Sequence, residues 1–231
     1  MIEFTDVTKT YQALRPLRIA KLTIARGDAM TIGGLDAGAA EMFVNLITGA
    51  ALPDAGDVRV AGRNTRDIAT DTEWLASLDR FGIVTERAVL LEGLTVAANL
   101  ALPFTLSIDP LDDAIKPRVA ALAAEVRLDA ARLDAPAGEL SAEERVRAHL
   151  ARALGPGPEL LLLEHPTARL DANAANAVGE TLRQVAASRG LGWVALSEDD
   201  RFARAAGGRR LRLEPATGKV IEDRFWRRLL A

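Results

Sequence analysis

Residues 33–38 have the sequence Gly-Gly-Leu-Asp-Ala-Gly, and the segments on either side of them decide the fold. The preceding residues 29–32 form a short, mostly apolar run of the kind found in a buried strand. The following residues 39–48 place apolar side chains at positions 42, 43, 46 and 47, the spacing of one helix face, and Gly49 ends the pattern. The sequence therefore predicts a strand, a glycine loop and a helix in direct succession.

The chain on both sides of this loop continues the alternation of strands and helices. Residues 95–154 have helical patterns punctuated by prolines, and a further helix is predicted at about residues 174–188. The other predicted strands are residues 2–7, 17–24, 58–60, 81–85, 160–163 and 193–196. This order predicts an α/β fold in which a mainly parallel sheet is covered by helices.

Composition excludes several classes of protein. A formal net charge of -3 and a pI near 5.6 give no basic surface for nucleic acid, so no nucleic-acid partner is predicted. The chain has no cysteine, which excludes disulfides and thiolate sites, and its two histidines are too few for a zinc cluster. We therefore predict no metal site built from these ligands. With 231 residues, one domain spanning residues 1–231 is expected.

The sequence also bears on cellular location. Residues 1–11 lack the basic patch and long apolar stretch of a signal peptide. The apolar run at residues 160–163 is far too short to cross a bilayer. We expect the chain to stay in the cytoplasm, with any membrane role exerted through a partner.

Several motifs stand in a fixed order along the chain. Residues 7–11, ending in Tyr11, are similar to an aromatic loop that stacks on adenine. Residues 90–100 resemble the stretch after a glutamine loop. Residues 140–145 stand where a signature motif is expected, and residues 160–171 resemble a Walker B strand with its D-loop. In this order and at these intervals, the motifs resemble those of the ATP-binding-cassette (ABC) family of transporter subunits.

The resemblance implies an architecture and a set of partners. It implies a P-loop NTPase-like cassette with an N-terminal antiparallel β part and a helical subdomain at about residues 88–152. The cofactors implied are ATP and Mg²⁺. The implied partners are an integral-membrane permease subunit and a second cassette, in a homodimer or a heterodimer, with the chain held on the inner face of the membrane through the permease. The segment at residues 94–100 is most similar to cassettes that serve lipid and lipoprotein transport.

The glycine loop departs from the family pattern GxxxxGK[ST]. In that pattern backbone N–H groups wrap the phosphates, a lysine neutralises their charge and a hydroxyl holds Mg²⁺. Here the loop begins at Gly34, and Ala40 and Glu41 stand at the lysine and hydroxyl positions. A misplaced unit charge about 5 Å from a phosphate costs roughly 3 kcal/mol at an effective dielectric of 20. The sequence therefore predicts weakened binding of a triphosphate.

The other positions implied for nucleotide binding have changed as well. Glu86 stands at the glutamine-loop position, Glu164 at the Walker B aspartate, His165 at the general base and Glu198 at the switch histidine. In the signature motif Ser141 remains, but two glycines are replaced by Ala142 and Glu143. The resemblance assigns the nucleotide site to Tyr11, Gly34, Asp36, Gly38, Ala39, Ala40, Glu41, Glu86, Ser141, Asp171 and Glu198, and the catalytic positions to Glu164 and His165.

Three hypotheses about function follow. The first is a degenerate cassette, a structural or regulatory pseudo-ATPase that docks on a permease through the helical subdomain and residues 86–99. The second is an active ATPase that uses His165 as general base and Glu164 as Mg²⁺ ligand, with a cation supplied by a partner. The third is a soluble interaction module without a transporter.

Some of these residues also have structural interpretations. His165 could be a hydrogen-bonded residue at a strand end, and Tyr11 could pack on the sheet. Asp171 could cap the helix that follows it, and Glu41 could cap the site that phosphate would fill. Two further sets are predicted to be structural: Arg59, Arg63 and Arg66 in a solvated hairpin, and the basic amphipathic residues 224–230 docked on the domain.

Overall fold

The computed structural model describes residues 1–108 and 110–223, and the basic residues 224–230 lie outside the described part. The first sheet has four antiparallel strands in the order β2-β1-β4-β5. Strands β1 and β2 bury apolar side chains on one face of this sheet, with a spacing of two residues that is interrupted once in each strand. Its strands are β1 (Ile2–Lys9), β2 (Leu17–Ile24), β4 (Ala55–Val60) and β5 (Arg63–Asn64).

The second sheet has six strands in the order β10-β9-β3-β8-β7-β6, and the contacts among its inner strands are all parallel. Strand β7 consists of four leucines and Glu164, and all five residues are buried because the sheet is covered on both faces. Its strands are β3 (Ala29–Gly33), β6 (Phe81–Val84), β7 (Leu160–Glu164), β8 (Gly192–Leu196), β9 (Arg209–Glu214) and β10 (Lys219–Glu222).

Seven α-helices cover the two sheets in the described part of the chain. Helices α3 and α4 and most of α5 fall within the predicted helical subdomain, which also contains short 3₁₀ turns at Ala130–Arg132 and Ala137–Glu139. The helices are α1 (Ala37–Thr48), α2 (Asp71–Leu78), α3 (Val96–Ala101), α4 (Lys116–Glu125), α5 (Ala142–Leu154), α6 (Ala172–Arg189) and α7 (Asp200–Ala206). Within residues 1–108 and 110–223, no helix is both long and apolar enough to span a membrane.

Two apolar clusters lie on opposite faces of the six-stranded sheet. Leu161 and Leu163 of β7 join the cluster formed with α5 and α6, whereas Leu160 and Leu162 join the cluster formed with α1 and the antiparallel sheet. This alternation follows from the period of two in a strand. The predicted mainly parallel sheet, its helical cover and the N-terminal antiparallel part are all confirmed.

Candidate functional site

Several of the predicted site residues lie at the carboxyl edge of the parallel sheet. Strand β3 leads into the glycine loop, β6 leads into residues 85–87, β7 ends at Glu164, and β8 leads into residues 197–198. Because parallel strands point the same way, these four segments emerge side by side, and this edge is where open α/β sheets bind ligands.

The glycine loop is held by its close approach to β9. Gly34 has a φ of +87°, and a Cβ on this residue would lie 2.1 Å from the carbonyl oxygen of Leu213. Only glycine fits both the left-handed backbone and this contact. The loop thus follows the strand closely before α1 begins.

Helix α1 is capped by the side chain of Asp36. Its Oδ1 accepts a hydrogen bond of 2.8 Å from the backbone N–H of Ala39, so the helix begins at Ala37, two residues earlier than predicted. Free N–H groups at a helix N-terminus form a natural binding site for anions such as phosphate. Here one of those donors is engaged by a carboxylate of the chain itself.

Glu198 binds the other end of the same loop. Its Oε1 accepts a hydrogen bond of 2.5 Å from the N–H of Gly34, and its Oε2 accepts one of 2.7 Å from the Arg212 guanidinium. The carboxylate therefore ties the loop after β8 to the start of the glycine loop. The guanidinium of Arg212, in β9, balances its charge.

Tyr11 lies against the glycine loop. A Cβ added to Gly38 would be 3.1 Å from the ring carbon Cε2 of Tyr11. Burial and the negative charge of Asp36 raise the pKa of the Tyr11 hydroxyl, which keeps it protonated. The structure therefore places this ring in contact with the loop itself.

Ala40, at the position of the family's lysine, is fully buried. Its side chain packs in the apolar cluster that also contains Phe43 and Ile47 of α1. This position has become part of the core, and its side chain carries no charge toward the edge of the sheet.

Glu41 and Glu164 are joined by an arginine. Arg87 donates from Nη1 to Glu41 Oε1 over 2.7 Å, and from Nη2 and Nε to the two oxygens of Glu164 over 2.5 and 3.1 Å. The Thr85 hydroxyl adds a hydrogen bond of 2.8 Å to Glu164. Glu164 is only 8% exposed, so its charge is compensated almost entirely within the protein.

Glu86 and His165 are not part of this network. Glu86 forms an exposed ion pair with Arg169, with 3.1 Å between Oε1 and Nε. His165 has a φ of +42°, which is strained for a residue with a side chain. Its backbone N–H donates to the carbonyl oxygen of Leu196 over 2.9 Å. Its Nε2 is buried without a hydrogen-bond partner among the described residues.

The signature segment begins helix α5 and closes on itself. Ser141 is the N-cap: its hydroxyl accepts from the N–H of Glu144, and the Glu144 carboxylate accepts from the N–H of Ser141 over 2.8 Å. Glu143 forms an ion pair of 2.6 Å with the buried guanidinium of Arg147, one turn further along the helix. This helix start is a complete capping box.

Asp171 caps helix α6. Its Oδ1 accepts hydrogen bonds from the N–H groups of Asn173 and Ala174 at 2.8 and 2.9 Å. Asp171 is therefore the N-cap of α6 in the described structure, as its structural interpretation predicted.

The donor set at this edge does not match the one that ATP and Mg²⁺ require. The lysine is absent, the Mg²⁺-binding hydroxyl is a carboxylate, and a guanidinium stands between the two acidic positions. The backbone N–H groups of Gly34 and Ala39 already donate to carboxylates. In the described structure these carboxylates and N–H groups are therefore paired with other groups of the chain itself.

Sequence reasoning missed Arg87 and Arg212. Arg87 contacts Glu41 and Glu164, and Arg212 contacts Glu198, only because the folded sheet brings these residues together. A signal was present, however, because carboxylates at positions 41, 164 and 198 in one cluster demand nearby cations. Arg87, directly after the glutamine-loop position, was the nearest candidate.

Comparisons with known proteins match most of the chain to one family. A family model described as ABC transporter matches residues 17–168. The lipoprotein-releasing system ATP-binding protein LolD of Geobacter metallireducens is 31% identical over 229 residues, which cover 96% of this chain and 99% of that protein. The methionine import ATP-binding protein MetN of Caulobacter vibrioides is 31% identical over 226 residues, which cover 96% of this chain and 66% of that protein.

Solved structures show the same fold. The dimeric structure of MJ0796, described as a bacterial ABC transporter cassette, covers 98% of this chain and 100% of its own, with a TM-score of 0.78 and 24% identity. The dimer of MJ0796 described as a post-hydrolysis state bound to ADP and Pi matches with the same TM-score and 22% identity. The predicted cassette fold is confirmed.

Proposed function

The chain belongs to the ABC transporter family, and we propose that it is a cassette subunit of a membrane transport complex with a structural or regulatory role. In this role it pairs with a second cassette, in a homodimer or a heterodimer, and is held at the inner face of the membrane through a permease. It does not hydrolyse ATP in the ordinary way of the family.

One observation carries this proposal: the chain's own side chains engage the groups that would meet a nucleotide. Asp36 and Glu198 accept the loop N–H groups, Tyr11 lies on Gly38, and Arg87 joins the two acidic positions. A triphosphate would have to displace these contacts and would then face several carboxylates without a lysine.

Titration calorimetry with ATP and Mg²⁺ tests the proposal on the purified chain. We expect no binding tighter than about 1 mM for the natural sequence. The double variant Ala40→Lys with Glu41→Ser should gain about 100-fold or more, because removing one misplaced charge is worth roughly 3 kcal/mol.

Two controls accompany this measurement. Glu3→Ser removes an exposed carboxylate of β1 that is not among the assigned site residues and should change nothing, and circular dichroism should show that the buried Ala40 position tolerates lysine. Micromolar binding of ATP by the natural chain would contradict the proposal.

A second candidate function is that of an ATPase with His165 as general base. The observation in its favour is the buried and unpartnered Nε2 of His165, held on a strained backbone among the described residues. Because Ala40 stands where the family has a lysine, a partner subunit must in this case supply the positive charge that meets the phosphates.

His165→Ala in the assembled complex separates the two functions. The ATPase hypothesis expects turnover to fall at least 100-fold while the complex stays intact. The structural or regulatory proposal expects the same residual turnover before and after the substitution, supplied by the other subunits. Assembly is followed by size-exclusion chromatography of the complex in both cases.

We propose lipid or lipoprotein as the class of transported substrate. Two proteins named as parts of a lipoprotein-releasing system, from Geobacter metallireducens and Caulobacter vibrioides, are 31% and 28% identical to this chain. Deleting the gene and measuring release of acylated lipoproteins from the inner membrane tests this class. Normal release combined with impaired methionine uptake would favour the import function named for MetN instead.

A further inference from the structure

The guanidinium of Arg87 lies between two carboxylates that come from different parts of the chain. Glu41 is in the first turns of α1, Glu164 is the last residue of β7, and Arg87 follows β6. The three contacts measure 2.7, 2.5 and 3.1 Å, and the pair with Glu164 uses both of its oxygens. Paired contacts of this kind suit the planar fork of arginine and could not be made by lysine.

These two carboxylates occupy positions that hold a metal ion in P-loop NTPases. In that class of protein, the P-loop hydroxyl and the Walker B carboxylate bind Mg²⁺. In this chain Glu41 and Glu164 stand at those positions, and the cation between them is a side chain. These two positions therefore carry one more negative charge than in the family pattern, and Arg87 supplies a fixed positive charge between them.

Local hydrogen bonds fix the position of Arg87. Its backbone N–H donates to the Thr85 hydroxyl over 3.2 Å, and that hydroxyl donates to Glu164 over 2.8 Å. The turn after β6 is thereby held to the end of β7. Glu164 is nearly buried, and a buried carboxylate without a partner would be strongly destabilising.

We infer that Arg87 is a built-in replacement for the divalent cation at this site. The guanidinium ties α1, the turn after β6 and the end of β7 together without metal, and it excludes Mg²⁺ and Mn²⁺ from the space between the carboxylates. This inference rests on the proposed function, since it explains how the cassette keeps its shape without a magnesium–nucleotide complex.

Removing the guanidinium should create a metal site. In Arg87→Met the side chain keeps an unbranched apolar stem and loses the charged guanidinium, leaving Glu41, Glu164 and the Thr85 hydroxyl facing one space. Two carboxylates with several waters are a usual ligand set for Mg²⁺ and suit Mn²⁺ as well. We expect this variant to bind Mn²⁺ with a dissociation constant on the order of 1 mM or tighter.

Titration with Mn²⁺ alone, followed by the electron paramagnetic resonance signal of the free ion, measures this binding without nucleotide. The natural chain and Arg87→Lys should bind at least 10-fold more weakly than Arg87→Met. The double variant Arg87→Met with Glu41→Gln should lose the gain. Arg169→Met, which breaks the exposed pair with Glu86, is the matched control and should behave as the natural chain does.

Thermal unfolding gives a second readout. Arg87→Met should lower the midpoint by several degrees, and 10 mM Mn²⁺ should restore about 3 °C or more of it while leaving the natural chain unchanged. If the variant is unfolded without metal, Mn²⁺ should refold it. The inference is overturned if Mn²⁺ neither binds to nor stabilises Arg87→Met, or if the natural chain binds Mn²⁺ as tightly through Glu41.

The two proposals fail on different results. ATP turnover that depends on this chain's own site would end the proposed function without deciding whether Mn²⁺ binds in the absence of nucleotide. Binding of Mn²⁺ at Glu41 in the natural chain would contradict the proposed role of Arg87, whether or not ATP is hydrolysed.

Discussion

At the scale of single residues, His149 is the buried ionisable group with the clearest consequence. It lies in α5 and is 6% exposed, and its Nδ1 accepts a hydrogen bond from Arg152 over 3.3 Å. Burial, reinforced by the positive charges of Arg152 and Arg145, lowers the pKa of His149 to about 4. The ring is therefore neutral in the folded protein at neutral pH.

His149 should make the fold sensitive to acid. The unfolded chain binds a proton near pH 6.5 and the folded chain only near pH 4, so the free energy of unfolding falls as pH drops through this window. The total loss should be on the order of 3 kcal/mol. Urea unfolding at pH 7, 5.5 and 4.5 measures it, and His149→Gln should flatten the profile. Equal slopes for the two proteins would refute this assignment.

The residues of the site differ in how far sequence could predict them. Ala40 and Glu41 follow directly from the loop pattern, so the loss of the lysine and hydroxyl was predicted without a structure. Arg87 was not predicted, because its partners Glu41 and Glu164 are 46 and 77 residues away along the chain. Which cation meets which carboxylate depends on the order of strands in the sheet.

At the scale of elements, side-chain caps fix where the helices begin. Asp36 caps α1, Asp171 caps α6, and Ser141 with Glu144 forms the capping box of α5. At α1 and α5 the same caps engage N–H groups in the loop and signature segments that the family pattern assigns to phosphate. The hydrogen bonds that stabilise the starts of these helices therefore also occupy N–H groups at those positions.

The cap of α5 should contribute measurable stability. Ser141→Ala removes the acceptor for the Glu144 N–H and should lower the free energy of unfolding by about 1 kcal/mol, as is typical for such caps. Urea unfolding at neutral pH is the measurement. Ser188→Ala, near the end of α6, removes a hydroxyl that bonds only the Val185 carbonyl and should change stability by less than about 0.5 kcal/mol. Equal losses in both variants would argue against the cap.

Elements with strong apolar patterns were predicted, and weak ones were missed. The strand at residues 160–163 was placed to within one residue, as was the end of α1. No prediction was made for α2, α7, β9 or β10. Helix α2 buries none of its residues and α7 has seven residues, so neither presents the long apolar face that reveals a helix in sequence.

At the scale of the whole molecule, two exposed apolar side chains lie in the segment predicted to contact a partner. Val89 and Leu91 lie in the segment predicted to face a permease, and their side chains are 65% and 46% exposed. Arg152 holds this segment by donating to the Val89 carbonyl over 3.0 Å. Such exposed groups beside one another are typical of a surface that another protein covers.

Charging this surface should release the chain from its permease. Val89→Asp with Leu91→Asp should reduce recovery of the permease with the tagged chain by at least 10-fold, because a carboxylate would be buried at the interface. Affinity purification from detergent-solubilised membranes measures recovery. Leu14→Asp, at a fully exposed leucine between β1 and β2, is the control and should leave recovery intact. Undiminished recovery with the charged segment would place the docking surface elsewhere.

Arg87 belongs to the polypeptide, so the charge it supplies between α1 and β7 is present from the moment the chain folds. A magnesium–nucleotide complex comes and goes with the energy supply of the cell, whereas a side chain cannot be diluted, chelated or exchanged. A subunit built in this way keeps the same shape in a starving cell and in a growing one. In a complex that contains it, the timing of each transport cycle would be set by the other subunits alone.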